Sequence, residues 1–519
     1  MSKIKGTSKN DTLTATDLGD SLYGYSGRDA LHDGIGNDKL YGGAGADALW
    51  GKSGNDKLDG GSGNDEFHIE GAIGNNLLRG GRGNDYMVAA FATGNNTLFG
   101  GSGDDYLNIS GATGRNKLYG DSGDDFFDAG VAAGTNTFSG GRGLDTFRFD
   151  AINSTGFIQS VNGGANLDTL TINFLDATES FTVDLGSSTT AGTITVGSSR
   201  IKFKSIESLN ITGSMFDEVI NGGKGSDTFK SSGGSDTLNG GAGDDNLLID
   251  SATGNCQADG GKGDDKLSSY YTSGTVTLDG GAGKDQISSN YSSGSANLDG
   301  GADNDYISSY FSSGSVSLQG GSGNDELVLS NTTGTAVADG SLGNDFLYNR
   351  FSDGLITLKG GAGNDFLQTQ NTAGSVTLEG GEGNDILMGG TSNDTLVGGL
   401  GNDMLSGNIG IDTFVFNSFD EGFDNITDFL SGTDHFDISA AGFGGGLIAG
   451  SIELPKVLDP SQFGTGTSAF TTTQLFIYDN TTGILYFDQD GSNSEFSEVM
   501  LVGLKPAQLL AASDFNIVA

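Results

Sequence analysis

The sequence predicts an all-β protein: a parallel β-solenoid in two blocks, joined by a further β segment and followed by a small C-terminal β-rich domain. An aspartate recurs at one constant interval from Asp245 to Asp385, and such a register indicates a solenoid. Glycine is frequent, with 92 residues against 3 prolines, and has no three-residue period, which excludes collagen. Hydrophobic residues make up only 34% of the chain, yet they fall at fixed repeat positions, which suits a narrow solenoid core.

The charge balance points to cations as partners. The chain has 67 acidic and 25 basic residues and a formal net charge of −42, which argues against nucleic acid and anionic membranes. The single cysteine, Cys256, excludes an intramolecular disulfide. No run approaches the roughly 18 apolar residues of a membrane-spanning helix, and the N-terminal segment lacks the apolar region of a Sec-type signal peptide.

The first block, residues 1–150, begins with nine-residue repeats. Aspartates recur at intervals of nine from Asp11 to Asp65, each with an apolar residue two places later. If two such repeats form one coil, alternate aspartates lie at opposite edges and successive coils form parallel strands. From Asp65 to Asp145 the interval is 20, so one edge keeps its short turn and the other becomes a longer connection.

The parity of the 20-residue unit predicts the core. Residues two, eleven and thirteen places after each aspartate point inward, because side chains alternate along a strand. Cys256 lies in the eleventh place and is therefore expected to be a buried structural thiol. In the first block the same place holds a series of asparagines, which predicts a stacked amide ladder. The series is Asn76, Asn96, Asn116 and Asn136.

The rest of the chain divides into three parts. The glycine register lapses over residues 151–215, where alternating apolar and polar residues predict a metal-free β-solenoid connector. The second block, residues 216–416, has mostly 20-residue repeats, and the interval between its aspartates returns to nine residues at Asp394 and Asp403. Residues 417–519 form the C-terminal region, in which Pro506 and the six residues after it predict one short helix.

The turn Gly360-Gly361-Ala362-Gly363-Asn364-Asp365, with an apolar residue two places later, recurs over most of the chain. It resembles the RTX (haemolysin-type calcium-binding repeat) family. The resemblance implies a β-roll that binds many calcium ions, with carboxylates from the motif aspartates and carbonyl oxygens from the glycines. Oxygen ligands in flexible geometry suit this hard cation, and glycine permits the left-handed conformations that aim the carbonyls.

The resemblance carries calcium ligation to specific residues. The aspartates are Asp29, Asp38, Asp47, Asp56, Asp65, Asp85, Asp105, Asp125, Asp227, Asp236, Asp245, Asp265, Asp285, Asp305, Asp325, Asp345, Asp365, Asp385, Asp394 and Asp403. The glycines are Gly61, Gly63, Gly241, Gly243, Gly361 and Gly363.

Some turns depart from the motif, and weak or empty sites are expected there. Leu144 replaces the Asn or Asp before Asp145, and Asp303 replaces a glycine. Asp11 and Asp20 lack the glycine frame. The second glycine is replaced at Tyr25, Lys52, Asp121 and Ser341.

Stacked carboxylates repel one another, so the rolls are expected to fold only on binding calcium. The resemblance further implies a secreted, extracellular protein at the cell surface, exported unfolded by a type I system. The C-terminal residues from Asp514 to Ala519 resemble the uncleaved signal of that route.

The sequence predicts no enzyme. His32, His68 and His435 share no ligand spacing, no catalytic motif occurs, and the repeats begin by Asp11. The favoured reading is a structural protein that self-associates into a surface layer, sheath or filament. The alternative is an adhesin that binds glycan, or ice, through outward ladders of the second block. One ladder is aromatic, from Tyr271 to Phe351, and intramolecular ring stacking also explains it. The other is a Thr-x-Thr array, and Ser, Asn and Val substitutions in it argue against ice.

Overall fold

The computed structural model describes residues 2–16, 18–150, 156–186, 188–450, 456–493 and 495–519. The chain forms two compact units, Met1–Gly261 and Lys262–Ala519. The predicted boundaries at residues 150, 215 and 416 divide the chain by repeat type, and they stay a prediction. Residues 151–155, where the predicted connector begins, lie outside the described ones.

The first unit is a parallel β-solenoid with one strand of each coil in each of two sheets. Lys3–Lys5 pairs with Ser21–Ser26, so that Lys3 faces Ser21, and the coil is longer where Lys57 faces Leu77. Hydrogen-bonded partners in neighbouring coils are accordingly 18 apart in sequence at Asp11 and Asp29, and 20 apart at Asp65 and Asp85. This confirms the coil lengths that the aspartate spacing predicts.

The strands of the first unit fall into two series. Those of the first sheet are Lys3–Lys5, Ser21–Ser26, Lys39–Ala44, Lys57–Ser62, Leu77–Arg82, Thr97–Ser102, Lys117–Ser122, Thr135–Arg142, Ile158–Ala165, Phe181–Asp184, Gly192–Val196, Ser199–Lys204, Val219–Asn221, Thr237–Ala242 and Cys256–Lys262. Those of the second are Thr12–Thr14, Ala30–His32, Ala48–Trp50, Glu66–His68, Tyr86–Val88, Tyr106–Asn108, Phe126–Gly130, Thr146–Asp150, Thr169–Asn173, Ser208–Thr212, Thr228–Ser232 and Asn246–Asp250.

The interior of the first unit follows the predicted parity. Met87, Leu107 and Leu98 are fully buried, as expected for residues two and thirteen places after an aspartate. Cys256 is a buried free thiol. The predicted amide ladder is also present, because the side-chain amide of Asn76 donates to Oδ1 of Asn96 at 3.1 Å, and the next two steps repeat that contact.

The connector continues the stack and adds a lateral insertion. Ile158–Ala165 pairs in parallel with the coil before it, where Thr137 faces Ser160, so this coil is longer than those before it. Gly192–Val196 then pairs antiparallel with Phe181–Asp184 on one side and with Ser199–Lys204 on the other. The last of these returns to pair in parallel with Ile158–Ala165, so the parallel stack resumes after the insertion.

The second unit is also a parallel β-solenoid. Lys266 faces Gln286 and Val276 faces Ala296, and the coil shortens where Thr377 faces Thr395. The sequence separation of bonded aspartates falls in the same way, from 20 at Asp365 and Asp385 to 18 at Asp385 and Asp403.

The strands of the second unit also form two series. Those of its first sheet are Val276–Ala282, Ala296–Ala302, Val316–Ser322, Ala336–Leu342, Ile356–Ala362, Val376–Glu382, Thr395–Leu400, Thr413–Phe416, His435–Ser439, Lys456–Val457 and Phe515–Val518. Those of its second are Lys266–Tyr270, Gln286–Asn290, Tyr306–Tyr310, Glu326–Ser330, Phe346–Arg350, Phe366–Gln370, Ile386–Gly390, Met404–Asn408, Asp424–Ile426, Phe463–Thr465, Phe476–Asp479, Ile484–Phe487 and Val499–Gly503.

The C-terminal region packs around buried phenylalanines. The ring of Phe515 lies 5.0 Å from that of Phe436 and 5.2 Å from that of Phe476, so the last strand is held against the final coil. One short α-helix, Ala440–Phe443, and two 3₁₀ turns, Pro460–Gln462 and Ala512–Asp514, are present.

The helix predicted after Pro506 is wrong. Ala507 has a left-handed backbone (φ 66°), and its N–H donates to the carbonyl of Asn480, so the helical hydrogen-bond pattern cannot begin there. Over the described ranges, no helix is long and apolar enough to cross a membrane.

Candidate calcium sites

Glycines let successive turns approach closely. Gly61 and Gly63 have left-handed backbones, with φ of 111° and 124°. A Cβ at Gly61 would lie 2.1 Å from the carbonyl oxygen of Gly43, and one at Gly63 would lie 2.0 Å from that of Gly45. Main-chain carbonyls of one turn therefore lie directly against the next. The other predicted glycines, Gly241, Gly243, Gly361 and Gly363, share this left-handed conformation.

The motif aspartates form a buried ladder between coils. The N–H of Asp85 donates to Oδ1 of Asp105 at 2.7 Å, and the N–H of Asp105 donates to Oδ1 of Asp125 at 2.9 Å. In the first unit the ladder links Asp11, Asp29, Asp47, Asp65, Asp85, Asp105, Asp125, Asp145 and Asp168. In the second unit it links Asp265, Asp285, Asp305, Asp325, Asp345, Asp365, Asp385, Asp403 and Asp424.

The other carboxylate oxygen of most ladder aspartates has no donor. In Asp85, Oδ2 is buried and accepts no hydrogen bond within the described part of the chain. The turn glycine makes room for it, since a Cβ at Gly80 would lie 2.0 Å from this oxygen. Oδ2 is likewise buried, without a donor in the described ranges, in Asp29, Asp47, Asp56, Asp65, Asp105, Asp125, Asp145, Asp168, Asp285, Asp305, Asp325, Asp345, Asp365, Asp385 and Asp403. Burying an unpaired anionic oxygen is costly, so these oxygens require a cation or a proton.

Titration behaviour agrees with that requirement. Burial, and then repulsion from Asp105 and Asp65, raises the pKa of Asp85 to about 8. Burial, and then repulsion from Asp105 and Asp145, raises the pKa of Asp125 to about 8. In the second unit the pKa of Asp345 rises to about 7 for the same reasons. Calcium, a hard cation that takes oxygen ligands, would stabilise the charged forms.

A second ladder lies at the surface, one residue before the first. The N–H of Asp104 donates to Oδ1 of Asn84 at 3.0 Å, and the N–H of Asp124 donates to Oδ1 of Asp104 at 2.9 Å. These bonds run from a later coil to an earlier one, whereas the buried ladder runs from an earlier coil to a later one. The Asn or Asp before each motif aspartate therefore joins neighbouring coils.

A few predicted ligands are arranged differently. The second oxygens of Asp38, Asp227 and Asp394 accept main-chain N–H groups four residues earlier, at 3.0, 2.9 and 2.7 Å. Asp236 is buried beside Cys256, whose Sγ lies 4.0 Å from its Oδ2. The one predicted ligand not yet placed, Asp245, is buried, and its Oδ1 accepts the N–H of Asp227 at 2.6 Å.

Most departures from the motif change the turns little, although Lys52 does not have the left-handed backbone of the glycine that it replaces. Tyr25, Asp121, Asp303 and Ser341, which replace glycines, keep left-handed backbones with φ between 73° and 80°. Asp145, which follows Leu144, has the same buried, unpaired Oδ2 as its neighbours. Asp11 and Asp20, which lack the glycine frame, differ: Oδ2 of Asp20 accepts both the N–H and the hydroxyl of Thr16.

Asp168 is a candidate ligand that the register does not predict, and it lies within the connector that the sequence predicts to be metal-free. Its Oδ1 accepts the N–H of Asp145 at 2.9 Å, and its Oδ2 is buried without a donor among the described residues. The two aspartates are 23 apart in sequence, whereas Asp125 and Asp145 are 20 apart, so Asp168 falls outside the period. The local signal is the turn Gly163-Gly164-Ala165-Asn166-Leu167-Asp168, which keeps the first two glycines.

Comparison with protein families agrees with this geometry. The family model described as RTX calcium-binding nonapeptide repeat (4 copies) matches residues 5–32, 32–67, 68–91, 92–108, 108–131, 212–247, 357–371 and 379–414. No curated protein matches the chain. With its parallel coils and stacked aspartates, the chain is an RTX calcium-binding β-roll protein.

Proposed function

We propose that this protein is a secreted, calcium-dependent structural component of the cell surface, a surface layer, sheath or filament, that folds when it binds calcium. The row of buried carboxylate oxygens without donors carries the proposal. Carboxylates about 4.8 Å apart in successive coils repel by about 3 kcal/mol per pair at an effective dielectric near 20. Many such pairs exceed the roughly 5–15 kcal/mol by which a domain is typically stable, and calcium reverses their sign.

Export fits this energetics. RTX repeat proteins are typically secreted, and a chain that folds only with calcium stays unfolded where calcium is scarce. It would cross a type I exporter as an extended chain and fold outside, where calcium is abundant. Finding the chain folded in the cytoplasm would contradict this route.

Self-association is supported by the first coil. Lys3–Lys5 pairs with Ser21–Ser26 on one side and with no described strand on the other. Ile4 and Leu13, at core positions of this coil, are only half-buried, whereas Leu22 and Leu31 are fully buried. An open strand edge above a partly exposed core can add strands from another copy.

A structural role without catalysis is supported by the histidines. The ring of His32 stacks on Trp50 at 4.3 Å, and that of His68 stacks on the other side at 5.3 Å. The rings of His32 and His68 thus take part in an aromatic stack, which gives them a packing role.

A calcium titration of the purified full chain, followed by circular dichroism and light scattering, tests the proposal. Gain of β-structure together with growth of large particles is expected. β-structure in a monodisperse monomer would overturn the assembly role, and full β-structure in calcium-free buffer would overturn calcium-dependent folding.

A specific observation favours a glycan-binding adhesin as the second candidate. Tyr271, Tyr291 and Phe311 stack at 5.2 and 5.0 Å between ring centroids, and all three are exposed. Each has a left-handed backbone with φ between 54° and 58°, a conformation that costs a non-glycine residue energy. Asn331 fills the same corner with φ 55°, so the rings are not needed to form it. A glycan array probed with the calcium-loaded full chain tests this candidate.

A further inference from the structure

Asp33 places an additional carboxylate at the edge of the first unit. It lies five residues before Asp38, where other turns have a glycine, as Gly42 precedes Asp47. A Cβ at Gly42 would lie 2.5 Å from Oδ2 of Asp47. At Asp33 this place is filled by a side chain, and Oδ2 of Asp38 accepts the N–H of Gly34 at 3.0 Å. Asp227 and Asp394 make the same contact with glycine in that place, so Asp33 adds a carboxylate without a new turn geometry.

Three carboxylates converge here. Asp33, Asp38 and Asp56 each present an oxygen within 4.8 Å of the other two, the one such cluster of three or more acidic, histidine or cysteine side chains among the described residues. That spacing is about twice the roughly 2.3–2.6 Å of a calcium–oxygen bond, so one ion can touch all three.

Two of the oxygens lack donors. Asp33 is 8% exposed and Asp56 is 2% exposed. In the described part of the chain, Oδ1 of Asp33 and Oδ2 of Asp56 accept no hydrogen bond. The remaining oxygens are held: Oδ2 of Asp33 accepts the N–H of Lys52 at 2.5 Å, and Oδ1 of Asp56 accepts the N–H of Asp38 at 2.8 Å. The side chains are thus fixed with one unpaired oxygen each.

We propose that Asp33, Asp38 and Asp56 form a three-carboxylate calcium site that binds more tightly than the sites of the regular turns and fills first. This deepens the proposed function and rests on it. Calcium affinity rises with the number of charged ligands, and here Asp33 adds one to the two motif aspartates. Lys52 is the positive charge that acts on Asp33, and the ion has to compete with it.

The only tryptophan of the chain makes the site separately observable. The N–H of Asp33 donates to the main-chain carbonyl of Trp50, in the neighbouring coil, at a distance of 3.1 Å. Terbium, a hard oxygen-binding ion, emits when a nearby indole transfers energy to it. Excitation at the red edge of the indole absorption, where tyrosine does not absorb, therefore reports ions bound near Trp50.

The experiment titrates the calcium-stripped full chain with terbium and then displaces terbium with calcium. The tryptophan-sensitised signal is expected to saturate before the sites of the regular turns fill. Asp33→Asn is expected to weaken terbium binding at this site at least about tenfold. Asp33→Gly, which restores the usual turn glycine, gives a second test if Asp33→Asn does not fold. Asp176→Asn is the control, because it removes an exposed carboxylate of the same unit that is not a predicted ligand, and it should leave this phase unchanged.

If both Asp33 variants bind terbium at this site as the wild type does, the proposal is overturned. Failure of calcium to displace terbium would also overturn it. The proposed function fails in a different way, through a wild-type chain whose circular dichroism does not respond to calcium. The two failures are therefore distinguishable.

Discussion

The N–H of Asp56 donates to Oδ1 of Asn76 at 2.9 Å, whereas one coil earlier the N–H of Asp38 donates to Oδ1 of Asp56 at 2.8 Å. An amide thus replaces a carboxylate in the same geometry at the step where the sequence separation of the bonded residues rises from 18 to 20. The amide supplies its own donor to the next coil, from Nδ2 of Asn76 to Oδ1 of Asn96. From Asn76 to Asn136 this edge is therefore complete without a cation, and the opposite edge is not.

Asn96→Asp should destabilise the calcium-loaded protein by about 3 kcal/mol, because it replaces a buried donor with an anionic acceptor facing Oδ1 of Asn116. Urea unfolding in saturating calcium measures the loss. Asn95→Asp is the control: Asn95 is exposed, so the same charge change should stay within about 0.5 kcal/mol. Equal losses from both variants would show that net charge, and not the ladder, decides.

Calcium-free protein should gain structure as the pH falls. The folded-state pKa values of Asp85 and Asp125 are raised from 3.8 to about 8, so their contribution to stability is fully present below pH 3.8 and is lost as the pH rises through about 8. Calcium reverses this dependence by favouring the charged carboxylates. Circular dichroism of dialysed protein between about pH 4 and 8 measures it. β-structure that increases with pH in calcium-free buffer would contradict the prediction.

Asp168→Asn should remove at least one bound calcium ion per chain, because it takes away a buried oxygen without a donor. Elemental analysis after gel filtration in fixed calcium counts the ions. Asp176→Asn, an exposed aspartate of the same region, should leave the count unchanged. A full count in Asp168→Asn would exclude this aspartate as a ligand.

Tyr291→Asn should change the free energy of unfolding by less than about 1 kcal/mol, since lost ring stacking is offset by relief of the left-handed tyrosine. If the aromatic column binds glycan, the variant loses binding while staying folded. Phe91→Asn is a matched control, because Phe91 is exposed in the same backbone conformation (φ 57°) but lies in the first unit. Loss of binding in both variants would argue against a site in the column.

The repeat period was sufficient to predict the coils and their core. Leu107 follows Asp105 by two residues and Leu118 follows it by thirteen, and both are fully buried because every coil has the same strand parity. The amide ladder was predictable for the same reason, since Asn96 and Asn116 occupy one register position in neighbouring coils.

The period could not predict what breaks it. Asp168 is displaced by three residues, and Asp33 stands at a position that the motif assigns to glycine. The side-chain rotation that leaves one oxygen of most described ladder aspartates without a donor depends on contacts between coils. At Pro506, helix propensity was overridden by the contact of Ala507 with Asn480.

The two ladders of opposite direction affect how folding starts and spreads. An inner coil such as the one around Asp104 and Asp105 receives a side-chain acceptor from each neighbour. A coil at either end of a stack lacks one of these two side-chain acceptors, because it has only one neighbour. The ends therefore fray, and a solitary coil has little stability of its own. Growth on an existing stack is then easier than nucleation, as in a one-dimensional cooperative array. The response to calcium should accordingly be steep, switching many coils over a narrow range of concentration.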